Sequence, residues 1–187
     1  MTNRWTAAKG TTTYRHDGLA NLTNVVYPLN PGLTMKYDAL SRLTNMVHAV
    51  GTTVYGYANQ FLATEEGPWD NDTFSYTYNK RLRSGLTLLQ PNASSWAQSY
   101  GYDSANRLQT LSSPAGAFTY SFKGPGNLIT NLALPNGAAI TNAFDAVGRL
   151  AGTWLKNSGG TILNSHAYGY NLASQRTSVK NLAAADL

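Results

Sequence analysis

The chain of 187 residues contains no cysteine, which excludes disulfide staples, thiol catalysis and cysteine-ligated metal. Charge is scarce as well. Asp, Glu, Lys and Arg make up 12% of the sequence, about half the usual share, so the surface must be built largely from neutral polar groups. No run approaches the roughly 18 apolar residues of a membrane span, and "MTNRWTAAKGTTTYRHD" holds no apolar core of signal-peptide length. Helical spacing of apolar residues is not sustained over three turns anywhere; only the closing "NLAAADL" is expected as one short helix or a frayed end.

The charges present lean to one side: 14 Lys and Arg against 9 Asp and Glu give +5. Arg15, Lys36, Arg42, Arg107, Arg149 and Arg176 are spread along the chain rather than gathered in a block, and several recur at one place in a repeated pattern. This argues against nucleic acid as a partner.

What the chain has in abundance is a repeat. "YRHDGLANLTNV", "MKYDALSRLTNM", "YGYDSANRLQTL" and "NAFDAVGRLAGT" align on an aromatic or His anchor, and degenerate copies fill the gaps. The anchors are His16, Tyr37, Tyr57, Tyr78, Tyr102, Phe122, Phe144 and Tyr170, about 20 to 26 residues apart. Five units carry Leu six residues after the anchor: Leu22, Leu43, Leu108, Leu128 and Leu150. The units of Tyr57 and Tyr78 bring their leucines earlier, which predicts shorter or differently shaped turns there.

Each unit reads as a β-hairpin. In "FTYSFK" Phe118, Tyr120 and Phe122 alternate with polar residues, the period of a strand with one aromatic face. Asp38, Asp103 and Asp145 follow their anchors and are placed to accept hydrogen bonds from the turn backbone two residues on, while Gly18, Gly126 or Gly148 supplies a positive φ. A second strand leaves from the leucine, with Leu150, Gly152 and Trp154 expected on one face, as Leu22, Asn24 and Val26 are. The fold class is therefore all-β: tandem hairpins in one twisted, mostly antiparallel sheet, a single array over residues 1–187 with about eight repeats across roughly 11–178.

The motifs "KYDALSRL", "GYDSANRL" and "AFDAVGRL" resemble the YD repeats of the RHS family, which includes bacterial polymorphic toxins, insecticidal toxin-complex components and teneurins. The resemblance implies a sheet that spirals into a hollow shell enclosing a toxic domain, or a scaffold at the cell surface. Shell building then implies partners at the sheet edges, either further copies or flanking repeats of a longer array, and an extracellular or cell-surface setting. Eight units are fewer than a full shell requires, and the sequence ends without a toxin domain or the proline-and-aspartate motif that closes such shells.

Chemistry is hard to place on this pattern. His16 occupies an anchor slot and is expected to pack in the aromatic ladder; His166 alternates with Tyr168 and Tyr170, and His48 ends a strand and is expected to be exposed. "EEGPWDND", with Glu65, Glu66, Asp70 and Asp72, lacks the order of a calcium loop and reads as a solvated connection. Asp17, Asp38, Asp103 and Asp145 recur because a turn recurs. No catalytic group, cofactor or metal is expected, and the protein reads as structural rather than enzymatic. The alternative is a carbohydrate- or cell-surface-binding module, with Trp69 and Trp96 as contacts. Truncating a ladder ring, as in Tyr102→Ala, is expected to cost roughly 3 kcal/mol or more, and Arg107→Ala much less.

Overall fold

The computed structural model describes residues 1–183. The chain divides into two compact units, Met1–Ala97 and Gln98–Leu187. The first holds β1 (Thr2–Thr6), β2 (Gly10–His16), β3 (Leu22–Val26), β4 (Leu33–Tyr37), β5 (Leu43–His48), β6 (Gly51–Ala58), β7 (Phe61–Glu66), β8 (Thr73–Asn79) and β9 (Leu82–Gln90). The second holds β11 (Leu108–Ser113), β12 (Gly116–Phe122), β13 (Ile129–Ala133), β14 (Ala139–Phe144), β15 (Leu150–Lys156), β16 (Ile162–Tyr170) and β17 (Arg176–Ala183); β10 (Ala93–Tyr102) carries the chain from one to the other.

All described secondary structure is strand, and within each unit successive strands pair antiparallel in chain order. Asn181 to Ala183 extend β17 instead of opening a helix, and the rest of "NLAAADL" lies outside the described residues.

Every anchor lies at the end of its strand or, for Tyr57 and Tyr78, one residue before it, and at every anchor the register shifts by one residue. Tyr37 faces Leu43 while Lys36 faces Asn45, so Thr44 is the extra residue of a bulge on the leaving strand. Thr23 and Thr130 occupy the same place, and these three threonines return their hydroxyls to the carbonyls of Arg15, Lys36 and Ser121 at 3.2 Å. The bulge thereby satisfies an acceptor that it removed from the ladder.

The bulge also corrects two expectations about faces. Residues opposite each other across a ladder share a face. Leu150 opposes Phe144, but Gly152 opposes Ala143, so Gly152 and Trp154 lie on the other side of the sheet from Leu150. The same shift separates Leu22 from Asn24 and Val26. Leu128 is corrected too. The turn after Phe122 is one residue longer, Ile129 takes the pairing position, and Leu128 closes the turn by accepting the Lys123 N–H at 2.9 Å.

One face of the first unit gathers Tyr14, Val25, Met35, Met46, Tyr55, Phe74, Tyr76 and Leu86; the other presents chiefly Thr, Asn and Ser. Because a single sheet face remains partly wet, most of these side chains are half-buried, and among the described residues only Val25, Thr53, Ala138, Gly152 and Ser165 are buried.

At the edge away from the anchors, a different device spaces the turns. Gly10, Gly51 and Gly116 all have positive φ and meet a proline of the next turn: a Cβ at Gly51 or Gly116 would collide with Pro68 or Pro135, and one at Gly10 would press on Pro28. The proline ring fits only because the glycine has no Cβ.

Candidate functional site

The repeated anchor is the most elaborated site in the molecule. Asp38 begins the turn after Tyr37, its Oδ1 accepting the N–H groups of Leu40 and Arg42 at 2.9 and 3.0 Å. Asp103 and Asp145 bind the corresponding pairs, Ala105 with Arg107 and Val147 with Arg149. The left-handed residue that each such turn requires is Ala20, Ser41, Asn106 or Gly148. Gly148 is thus where the sequence places it, whereas Gly18 and Gly126 have no positive φ, and Ala20 and Gly124 take that conformation in their turns.

The second carboxylate oxygen reaches the arginine four residues on: Asp38 to Arg42 and Asp103 to Arg107 at 2.7 Å, Asp145 to Arg149 at 2.6 Å. These bonds hold the carboxyl groups below the ordinary aspartate range. The largest cause is the backbone N–H of the arginine for Asp38 and Asp103, and the arginine side chain for Asp145.

The arginine then leaves its own repeat. Arg42 lies over the Tyr57 ring at 4.4 Å, Arg107 over Phe122 at 4.4 Å and Arg149 over Tyr170 at 4.7 Å. Its outer nitrogen donates into the next turn, from Arg42 to the Asn59 carbonyl, from Arg107 to those of Gly124 and Gly126, and from Arg149 to that of Asn171. Repeats without this arginine substitute other groups. Asn21 donates to Ser41 Oγ, Lys123 to the Asp145 carbonyl, and Phe61 stacks on Tyr78 at 4.8 Å.

The anchor ring closes the contact from the other side. The hydroxyls of Tyr37, Tyr57, Tyr78 and Tyr170 donate to the carbonyls of Leu22, Leu43, Leu62 and Leu150 in the preceding repeat at 2.8 to 3.0 Å. Phe144 has no hydroxyl; there Asn142, two residues earlier on the same face, donates to the Ile129 carbonyl at 3.0 Å. Tyr102 ends β10 opposite Leu108, and Phe122 ends β12.

The glycine of each "YGY" has its own reason. Gly56, Gly101 and Gly169 oppose Thr64, Thr110 and Ser178, whose hydroxyls stand 2.2 to 2.4 Å from where a Cβ would be. A side chain there would displace the facing hydroxyl.

Three expectations about titratable residues need correction. His16 is exposed, since the chain turns away at the end of β2. His48 is half-buried, its ring 3.3 Å from Thr53 Oγ1 and accepting the Val50 N–H. Glu65 and Glu66 belong to β7, and Glu65 projects onto the aromatic face instead of sitting in a solvated loop. Burial, and then the Glu65 charge, pushes the Tyr55 and Tyr76 hydroxyls above their ordinary range. Trp69 is exposed on the loop between β7 and β8, while Trp96 is half-buried in β10. Among the described residues no three His, Asp or Glu gather as metal ligands.

The hairpins, their shared bulge and the interlocked anchors define a sheet of tandem repeats joined through their turns. No protein-family model matches the chain, and no curated protein matches it in sequence. Among solved structures, the crystal structure of TcdB2-TccC3-TEV aligns with 97% of this chain and 12% of its own, at 11% identity and a TM-score of 0.53. The Tc holotoxin pore of Photorhabdus luminescens aligns over 97% of this chain and 14% of its own, at 12% identity and a TM-score of 0.34. The protein therefore has the fold of a segment of TcdB2-TccC3-TEV, and spans a small part of that chain's length.

Proposed function

We propose that this protein is a structural, non-enzymatic YD-repeat array that forms the wall of a β-sheet shell, tube or filament, by docking copies end to end or as part of a longer array. The carrying observation is the turn-to-turn staple. Arg42, Arg107 and Arg149 each satisfy their aspartate at home and spend their remaining donors and their flat face on the next repeat. A repeat of this kind is complete only beside a neighbour, so stability accrues with repeat number and a further repeat is the natural partner of an edge.

In this reading residues 1–187 act as one array, and Tyr37, Tyr57, Tyr78, Tyr102, Phe122, Phe144 and Tyr170 are its load points. The likeness in fold to TcdB2-TccC3-TEV supports a wall-forming role. An extracellular or cell-surface setting follows from the same reading, with no membrane span and no nucleic acid as partner.

Electron microscopy of the purified chain, with light-scattering mass measured across a concentration series, tests this. Filaments, tubes or closed rings are the expected result for end-to-end docking. A strict monomer at the highest concentration overturns self-assembly and leaves only the longer array, which a fusion to additional YD repeats would then have to stabilise.

A second reading, recognition of a glycan or cell surface, has one specific observation in its favour. Trp69 is 61% exposed on a braced loop.

A further inference from the structure

One repeat breaks the pattern of the others on the aromatic face. The residue opposite the aromatic, Met or Asn that lies two before each anchor is Val25, Met46, Leu86, Leu111, Leu132, Thr153 or Val179; opposite Tyr55 it is Glu65. A carboxylate stands in a slot that seven sister repeats give to uncharged side chains; with burial the larger cause, it helps raise the Tyr55 and Tyr76 hydroxyls, and it accepts a long 3.5 Å contact from Tyr76. Nothing in the ladder needs it, and departures from local consistency of this kind mark functional positions.

Glu65 opens into a cavity of about 480 Å³ at the edge away from the anchors. Phe74 and Leu88 provide apolar wall, the Gln90 amide provides a donor and an acceptor, and Trp69 stands at the rim. The Trp69 loop is held in place. Its N–H donates to Asp72 Oδ2 at 2.9 Å, Asp72 closes against Gly67 where no side chain would fit, and Pro68 packs on Gly51. An exposed indole on a fixed loop loses little freedom when a ligand covers it.

We propose that this cavity is a saccharide site taking one or two neutral pyranose rings. The apolar face of a pyranose packs on the Trp69 indole, and its hydroxyls donate to the Glu65 carboxylate while the Gln90 amide completes the set. This rests on the second reading above and names the site and ligand class that it needs.

The test uses the whole chain and the methyl glycosides of glucose, galactose, mannose and N-acetylglucosamine, titrated by calorimetry and by tryptophan fluorescence. Two variants accompany it. Trp69→Ala removes the platform, and Glu65→Leu restores the apolar residue found in sister repeats, so that thermal stability should hold or rise while binding falls. The expected result is saturable binding of at least one glycoside, weakened at least tenfold in both variants. Binding that is unchanged in both overturns the cavity and leaves recognition elsewhere on the surface standing. No saturable binding of any of these glycosides overturns the saccharide site, and a blank glycan panel would take the recognition reading with it.

Discussion

The turns at Asp145–Arg149 and Asn171–Gln175 follow one backbone course with different chemistry. In both, the first residue's N–H donates to the fifth residue's carbonyl, at 2.9 and 3.0 Å, and the fourth residue is left-handed: Gly148 at φ 85° and Ser174 at φ 60°. In both, the first side chain accepts the fifth N–H at 2.9 Å. The difference lies in what the fifth side chain does. Arg149 takes an ion pair from Asp145, covers Tyr170 and donates to the Asn171 carbonyl and Ser174 Oγ, whereas Gln175 accepts a hydrogen bond from Asn171 within its own turn. The shape of the turn therefore needs no charge. The arginine is there for the neighbouring repeat.

The largest effect should come from the ring that both sides hold. Tyr170→Ala removes the surface under Arg149 and the hydroxyl on the Leu150 carbonyl together, and is expected to cost about 3 kcal/mol in urea unfolding. A cost under about 1 kcal/mol would mean that the ladder is not what stabilises the array.

Next, Arg149→Ala should cost about 1 to 2 kcal/mol, because a cation–π contact and several charge-assisted hydrogen bonds go at once, while Gln175→Ala should cost only a few tenths. Equal losses would show that the arginine works only inside its turn. The same reasoning applies to Arg107, which the sequence alone ranks as a minor contributor and the structure places over Phe122 and on two carbonyls of the next turn.

That re-ranking shows where sequence reading reaches its limit here. The anchors are legible because aromatic alternation ends at each of them, and the shorter turns after Tyr57 and Tyr78 are legible because Leu62 and Leu82 arrive early. The bulge is not legible, since a period-2 pattern carries no mark of an extra residue, and so Trp154 is assigned to the wrong face. Nor is the staple. Arg107 meets Gly124 and Gly126 across 17 and 19 residues, a proximity that exists only once the hairpins are stacked. Glu65 is hidden for a similar reason. It reads as one more acid in "EEGPWDND" until pairing sets it opposite Tyr55.

Tyr170→Phe isolates the hydroxyl. The ring stays under Arg149, and only the bond to the Leu150 carbonyl is lost, so a cost of about 1 kcal/mol is expected in the same unfolding assay. Phe144 already lives without that hydroxyl because Asn142 supplies the donor, so Asn142→Ala should match Tyr170→Phe in size if the carbonyl at the repeat junction is what must be satisfied. A neutral Asn142→Ala would mean that water serves this carbonyl as well.

The smallest loss at neutral pH should follow Asp145→Asn, which gives the charged turn the chemistry of its neutral counterpart. An Asn side chain at this place accepts the fifth-residue N–H as Asn171 does, so the turn persists and only the charge term goes. That term has a definite pH signature. The Arg149 side chain and the turn N–H groups lower the Asp145 pKa in the folded state, so its contribution is complete above the ordinary carboxylate range and disappears as pH falls through the folded value. Asp38 and Asp103 behave in the same sense. Replacing all three by Asn should therefore flatten the acid limb of the stability curve below about pH 4 while changing little near pH 7. An unchanged acid limb would assign acid sensitivity to other carboxylates, with Glu65 the first to examine, and would reduce the aspartates to backbone caps that Asn serves equally well.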